Sequence, residues 1–232
     1  MEQEAITSMN KEQYKDKRIL VVFPHPDDEA FAAAGTLSLY VEGGAQITYA
    51  CLTLGEMGRN MGIPPFASRV TLPAIRKQEL IESAEAIGIQ DLRMLGFHDK
   101  MVEFEDPQVL ENMVSDLLEE VQPLLVITFY PGYSVHPDHD ATGAAVVGAV
   151  SKLPAENRPT LHCVAFSNDH EREIGKADIL MDVTTVLDKK MKSISAHRSQ
   201  FQAAELVGNQ KLEHTDLIER FGVEPFWTYS FQ

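Results

Sequence analysis

The sequence predicts an α/β fold, a Rossmann-like three-layer sandwich with a mostly parallel central sheet and helices on both faces. Short apolar runs alternate with longer helical patterns, as where "RILVVF" (18–23) is followed by "EAFAAAGTLSLYVEGG" (29–44). Such alternation implies parallel strands joined by crossover helices. No repeat or linker divides the 232 residues, and 44% of them are apolar. That suits one large domain with its own core.

The elements follow in order. Residues 1–17 are polar and lack the apolar stretch of a secretory signal, so they read as a flexible tail before a single domain over 18–232. "RILVVF" is a buried strand. The next stretch is one helix stopped by Gly43–Gly44. "QITYACLT" (46–53) is rich in β-formers and forms the second strand. "PAIRKQELIESAEAIG" is helical, entered at Pro73 and left at Gly88, and "DLRMLGF" is a weaker strand. In "EDPQVLENMVSDLLEEV", Asp106 caps a helix with Pro107 first and Val109, Leu110, Val114, Leu117 and Leu118 on one stripe. "LLVITFY" (124–130) is the fourth strand, and "HDATGAAVVGAVSKL" is a small-residue helix. "LHCVAFS" and "ILMDV" complete the strands, and "VLDKKMKSISAHRSQF" begins the C-terminal helices.

Composition excludes several functions. A formal charge of −15 argues against nucleic acid and anionic membranes. No apolar run reaches the roughly 20 residues of a membrane span. Cys51 and Cys163 sit in strand-like segments and read as buried free thiols of a reducing, cytoplasmic compartment.

Ligands of parallel sheets sit beyond the carboxyl ends of the strands. After the first strand stands "PHPDDE", after the second "LGEMGRNMG", after the third "HDK" and after the fourth "YPGYSVHPDHD". Two His-Pro-Asp clusters at equivalent places are more than a solvated loop requires. Pro24 and Pro26 hold His25 extended before a helix begins near Glu29. Adjacent Asp27 and Asp28 cannot both point one way, so one serves a metal and the other faces solvent or substrate. Glu29 complements the helix dipole. His136 and His139, three apart at a helix start, lie on one side, so one can join the metal while the other stays free. Two His and one carboxylate make an open, catalytic-type site suited to Zn²⁺ and also to Fe²⁺.

"HPDDE", "GEMGRN" and "HPDH" in this order resemble the zinc-dependent deacetylases of the LmbE/PIG-L family, over residue 18 to the end. "ACLTLGEMGRNMG", "AHRSQ" and the closing "FWTY" look most like its bacillithiol-pathway branch, which deacetylates GlcNAc-malate. The resemblance implies metal ligands His25, Asp28 and His139, a general base Asp27, an oxyanion-facing His136, and Asp138 orienting His136; the mechanism expected from these roles has His136 in cationic form. It also implies a small acetylated amino-sugar substrate and allows a homo-oligomer. Arg59, Arg76, Glu79, Tyr133 and His197 are substrate-pocket candidates, while His98, His162, His170 and His214 read as incidental.

Other classes fare worse. A Rossmann cofactor module needs G-x-G-x-x-G where this chain has P-H-P-D-D-E. No G-x-S-x-G supports a serine hydrolase. A hydrolase of another amide or sugar on the same machinery is the alternative enzyme. A non-catalytic metal or sugar sensor would not need an intact base.

Overall fold

A computed structural model describes residues 14–201 and 214–231. Its strands are β1 (Arg18–Phe23), β2 (Gln46–Cys51), β3 (Asp91–Met94), β4 (Leu125–Phe129), β5 (Thr160–Val164), β6 (Ile179–Asp182) and β7 (Val223–Thr228). They form one sheet in the order β3-β2-β1-β4-β5-β7-β6. β1 to β5 pair in parallel, and β7 runs antiparallel to both β5 and β6. The helices are α1 (Asp28–Ala32), α2 (Ala34–Glu42), α3 (Leu72–Ile87), α4 (Pro107–Val121), α5 (Pro137–Ser151), α6 (His170–Ile174), α7 (Leu187–Ala196) and α8 (His214–Phe221). No helix among the described residues is long and apolar enough to cross a membrane.

Strand alternation splits β1 between two cores. Ile19, Val21 and Phe23 join the cluster with α2 and α3, and Leu20 and Val22 join the cluster with α4 and α5. Each buried aliphatic side chain contributes about 1.5–3 kcal/mol, which holds the sheet as a rigid platform. Asp106 caps α4 as expected, accepting from Gln108 N–H at 2.9 Å. The buried stripe of α4 is Leu110, Val114, Leu117, Leu118 and Val121; Val109 lies one position off it and is 45% exposed.

Four expectations change. The long first helix breaks at Ala33 (φ −148°) into α1 and α2. The break frees two N–H groups of α2, Gly35 and Thr36, to donate to the Glu224 carboxylate at 2.9 and 2.7 Å. That carboxylate also pairs with Lys190 at 2.6 Å. β7 is an additional strand, which "FWTY" did not announce because Glu224 and Pro225 interrupt its apolar pattern. Pro225 is tolerated there because β5 pairs only with Trp227 and Thr228, leaving Pro225 opposite β6 alone. The sequence "HRSQF" does not extend α7, which ends at Ala196. Residues 14–17 are docked: the Tyr14 ring lies 4.3 Å from that of Tyr40, and Asp16 N–H donates to Gly44 O at 3.0 Å. The rest of the expected tail lies outside the described residues.

Strand order reverses between β1 and β4, which are neighbours in the sheet with crossovers leaving in opposite directions. The crevice beyond their carboxyl ends is where such sheets bind ligands.

Candidate metal centre and active site

Two chain segments enter that crevice. The first leaves β1 through Pro24-His25-Pro26, with Pro24 O accepting from Thr53 N–H and hydroxyl at 2.9 and 2.8 Å. Asp27 then takes φ +104°, a left-handed conformation that costs a non-glycine residue on the order of 1–3 kcal/mol. This turn sends Asp27 and Asp28 in different directions. Asp28 folds back to accept from His25 N–H at 2.8 Å, while Asp27 reaches Arg76 Nη2 at 2.9 Å.

The second segment leaves β4 and enters α5 at Pro137. His136 is its N-cap, with Nδ1 accepting from Asp138 N–H at 3.1 Å. Val135, a β-branched residue at φ +65°, bends the loop so that Ser134 O receives His139 Nδ1 at 3.0 Å. Phe129 stacks on the His139 ring at 4.0 Å.

These contacts orient the ring. Ser134 O only accepts, so His139 donates from Nδ1 and turns Nε2 towards Asp28 and His25. That Nε2 stands 3.1 Å from Asp28 Oδ1 and 3.2 Å from His25 Nδ1, and His25 Nδ1 stands 3.4 Å from Asp28 Oδ2. Zinc bonds of 2.0–2.1 Å in a tetrahedron give ligand–ligand edges of about 3.3–3.4 Å. The imidazole nitrogens and the carboxylate therefore have the spacing that suits a divalent ion. His25, His136 and His139 form a looser group with nitrogens within 4.8 Å of one another. The Asp28 set is tighter and brings the negative charge a dication needs, so it is the better donor set.

The far side of His25 is held by carboxylates. Its Nε2 lies 3.2 Å from Asp138 Oδ2 and 3.3 Å from Asp99 Oδ1. Asp138 also accepts from Lys100 and Glu103 N–H at 2.7 and 3.2 Å, and Asp99 from Met57 N–H at 2.8 Å. Carboxylates behind a ligand imidazole fix its orientation. This corrects the expected Asp138–His136 pairing: the Asp138 carboxylate orients His25, and only its backbone meets His136.

Charge follows geometry. Burial opposes the His25 imidazolium, yet Asp138, Asp28 and Asp99 together hold its pKa well above the ordinary range. Burial likewise opposes ionised Asp28, but His139 and His25 hold it far below the usual carboxylate range. Asp27 is pushed up to about 6 by burial, against the pull of Arg76 and with a push from Asp28. Burial and the neighbouring His25 and His139 lower the pKa of His136, which favours its neutral form over the cationic one expected. With Nδ1 accepting, its proton sits on Nε2.

A cavity of about 270 Å³ opens over this centre, walled by His25, Asp27, Asp28, His136 and His139, with Arg59, Arg76, Asp99 and Lys100 around them. Of the other pocket candidates, Glu79 is buried and accepts from Ser199 N–H and hydroxyl, both at 2.7 Å. Tyr133 packs on Tyr130 with centroids 5.5 Å apart and is not a cavity wall. His197 lies beneath the site, bonded to Glu29 at 2.8 Å. "AHRSQ" is thus a brace, not a solvated face: Ser199 O accepts from Gly62 N–H, and Gln200 exchanges bonds with Asn60. Gly55 (φ +60°) has no room for a side chain, since a Cβ would collide with the Arg76 guanidinium.

Sequence reasoning missed Asp99 and misread Glu29. Asp99 was visible as the acid in "HDK" after β3. Glu29 is fully buried and bonded to Asp27 N–H, Tyr49, Ser83 and His197, so it is a hub rather than a dipole complement.

Residues 20–150 match the family described as PIG-L, GlcNAc-PI de-N-acetylase. A Bacillus cereus protein named probable N-acetyl-alpha-D-glucosaminyl L-malate deacetylase 2 is 48% identical over 94% of this chain and 100% of its own length. Among solved structures, N,N'-diacetylchitobiose deacetylase from Pyrococcus horikoshii superposes with TM-score 0.71 at 24% identity, covering 96% of this chain and 87% of that one. The hydratase GalB from Pseudomonas putida superposes with TM-score 0.70 at 20% identity, covering 93% and 97%, so the fold alone does not choose the chemistry. The chain belongs to the PIG-L family.

Proposed function

We propose that this PIG-L family member is a metal-dependent N-deacetylase that removes acetate from the N-acetylglucosaminyl group of a small conjugate, GlcNAc-malate in bacillithiol biosynthesis. The carrying observation is the meeting of His25 Nδ1, Asp28 and His139 Nε2 within 3.1–3.4 Å, with Asp27 held beside them by Arg76. The 48% identity to a relative bearing that substrate in its name supports the choice of sugar conjugate.

His25, Asp28 and His139 would hold Zn²⁺, with Fe²⁺ suited to the same donors. When bound, the ion supplies Lewis-acid polarisation of the acetyl carbonyl and lowers the pKa of water to about 7. Asp27, with a pKa of about 6, is ionised at neutral pH and takes a proton from the attacking water. It later gives that proton to the departing sugar nitrogen, so acetate and a free amine result. Neutral His136 donates its Nε2–H to the oxygen on which charge develops; one such donor is worth on the order of 10²–10³ in rate. Arg76 holds Asp27 in place, and Asp138 and Asp99 hold His25. Arg59, exposed on the cavity wall, is placed for an anionic aglycone. The two buried free thiols support a reducing cytoplasm as the setting.

The test is release of primary amine and acetate from GlcNAc-malate by the zinc-loaded protein, beside N,N'-diacetylchitobiose. Turnover of the malate conjugate above chitobiose is expected. Turnover of neither overturns the reading.

A further inference from the structure

Asp27 and Asp28 stand between two chambers. One is the polar cavity already described. The other is an apolar chamber of about 450 Å³, walled by the two aspartates and by Phe31, Phe129, Ala165 and Phe166 among others. It shares Asp27 and Asp28 with the polar cavity as wall residues. Phe129 stacks on His139 at 4.0 Å, and Phe166 meets the same ring edge-on at 5.8 Å. Of the other charged residues on its wall, Lys190 and Glu224 pair at 2.6 Å, and Arg220 is exposed.

We infer that this chamber is an acyl-binding site, and that the enzyme hydrolyses amino sugars whose N-acyl group is larger and more apolar than acetyl, such as hexanoyl. The inference rests on the deacetylase reading above. An amide held at Asp27 has two substituents. The sugar, with its hydroxyls, matches the polar cavity with Asp99, Lys100 and Arg59. The acyl chain then points the other way, between the phenylalanines. An acetyl methyl fills little of a space of about 450 Å³, given that one water takes about 30 Å³ of liquid. Each further buried methylene favours binding about fourfold. The reaction is the same hydrolysis: the water oxygen bonds to the acyl carbon, the C–N bond breaks, and the nitrogen takes its proton by way of Asp27. A fatty acid and a free amine are the products, and no redox partner is required.

The experiment compares N-acetyl and N-hexanoyl glucosamine conjugates of the same aglycone with the metal-loaded protein, by amine release. The hexanoyl compound is expected to reach at least one-tenth of the acetyl kcat/KM. Ala32 is also on the chamber wall; in Ala32→Phe, which narrows the chamber, the hexanoyl-to-acetyl ratio is expected to fall at least fivefold. A wild-type ratio below one-tenth, or a folded Ala32→Phe protein whose ratio falls less than fivefold, overturns the inference while leaving acetyl hydrolysis intact. Should Ala32→Phe not fold, the wild-type ratio decides alone. No amine from either compound overturns the deacetylase reading, and this inference with it.

Discussion

Glu29 Oε1 accepts from His197 Nε2 at 2.8 Å, and neither side chain has any exposed surface. The pair joins the first motif to the C-terminal brace. Glu29 also receives Asp27 N–H at 3.1 Å, so the strained backbone of the proposed base is held from below by Glu29 and at its carboxylate by Arg76. Burial works against both charges, yet Glu29 raises the pKa of His197 and His197 lowers that of Glu29. His197→Ala leaves the buried carboxylate without its cationic partner, which costs about 3–5 kcal/mol. Urea unfolding checks this. Because His197 is not a cavity wall, kcat should fall while KM stays within about twofold.

Arg76→Met should move the acid limb of the pH–rate profile upward. The guanidinium stabilises ionised Asp27, whose pKa of about 6 is already raised by burial. Removing it favours the protonated, inactive form, so activity at pH 6 should suffer more than activity at pH 8. In the loaded wild type the dication lowers Asp27 further, which puts the limb at or below about 6. An unshifted limb in Arg76→Met would contradict the assignment of Asp27 as base.

Asp138→Ala should weaken metal binding about 10–100-fold, because it frees the His25 ring. Competition with a chelator measures it. Metal binding should also weaken as pH falls, since His25 must lose a proton that Asp138, Asp28 and Asp99 favour.

His162 gives a test of stability remote from the site. It is buried on β5, and burial lowers its pKa to about 4, with Asp178 opposing. The unfolded chain takes that proton at about 6.5. Between these values the unfolded state binds more protons, so stability falls as pH drops from about 6.5 to about 4. The shift corresponds to at most about 3 kcal/mol. His162→Gln should flatten this part of the pH–stability curve, read from urea midpoints at pH 7 and pH 4.5.

Local chemistry made much of this legible from the sequence. Asp106-Pro107 announced a helix start, and "RILVVF" announced the central strand at its observed bounds. The rule that sites lie after parallel strands brought His25 and His139 together across 114 residues. What stayed hidden depends on contacts that no local pattern encodes. The break at Ala33 needs Glu224, 191 positions later in the chain; a carboxylate so distant leaves no mark on helix periodicity. Glu29 and Glu79 look like surface acids until Ser83, His197 and Ser199 fold onto them. Asp138 sits beside His136 in sequence but faces His25, because helix α5 turns its carboxylate inward.

The central claim is that His25, Asp28 and His139 share one divalent ion. Metal content and affinity of the wild type, Asp27→Asn and His139→Ala test it together. The wild type and Asp27→Asn should each hold one zinc per chain, with turnover in Asp27→Asn lower by about 10²–10⁴. His139→Ala should hold none. A His139→Ala protein that keeps the wild-type stoichiometry and affinity would contradict the claim.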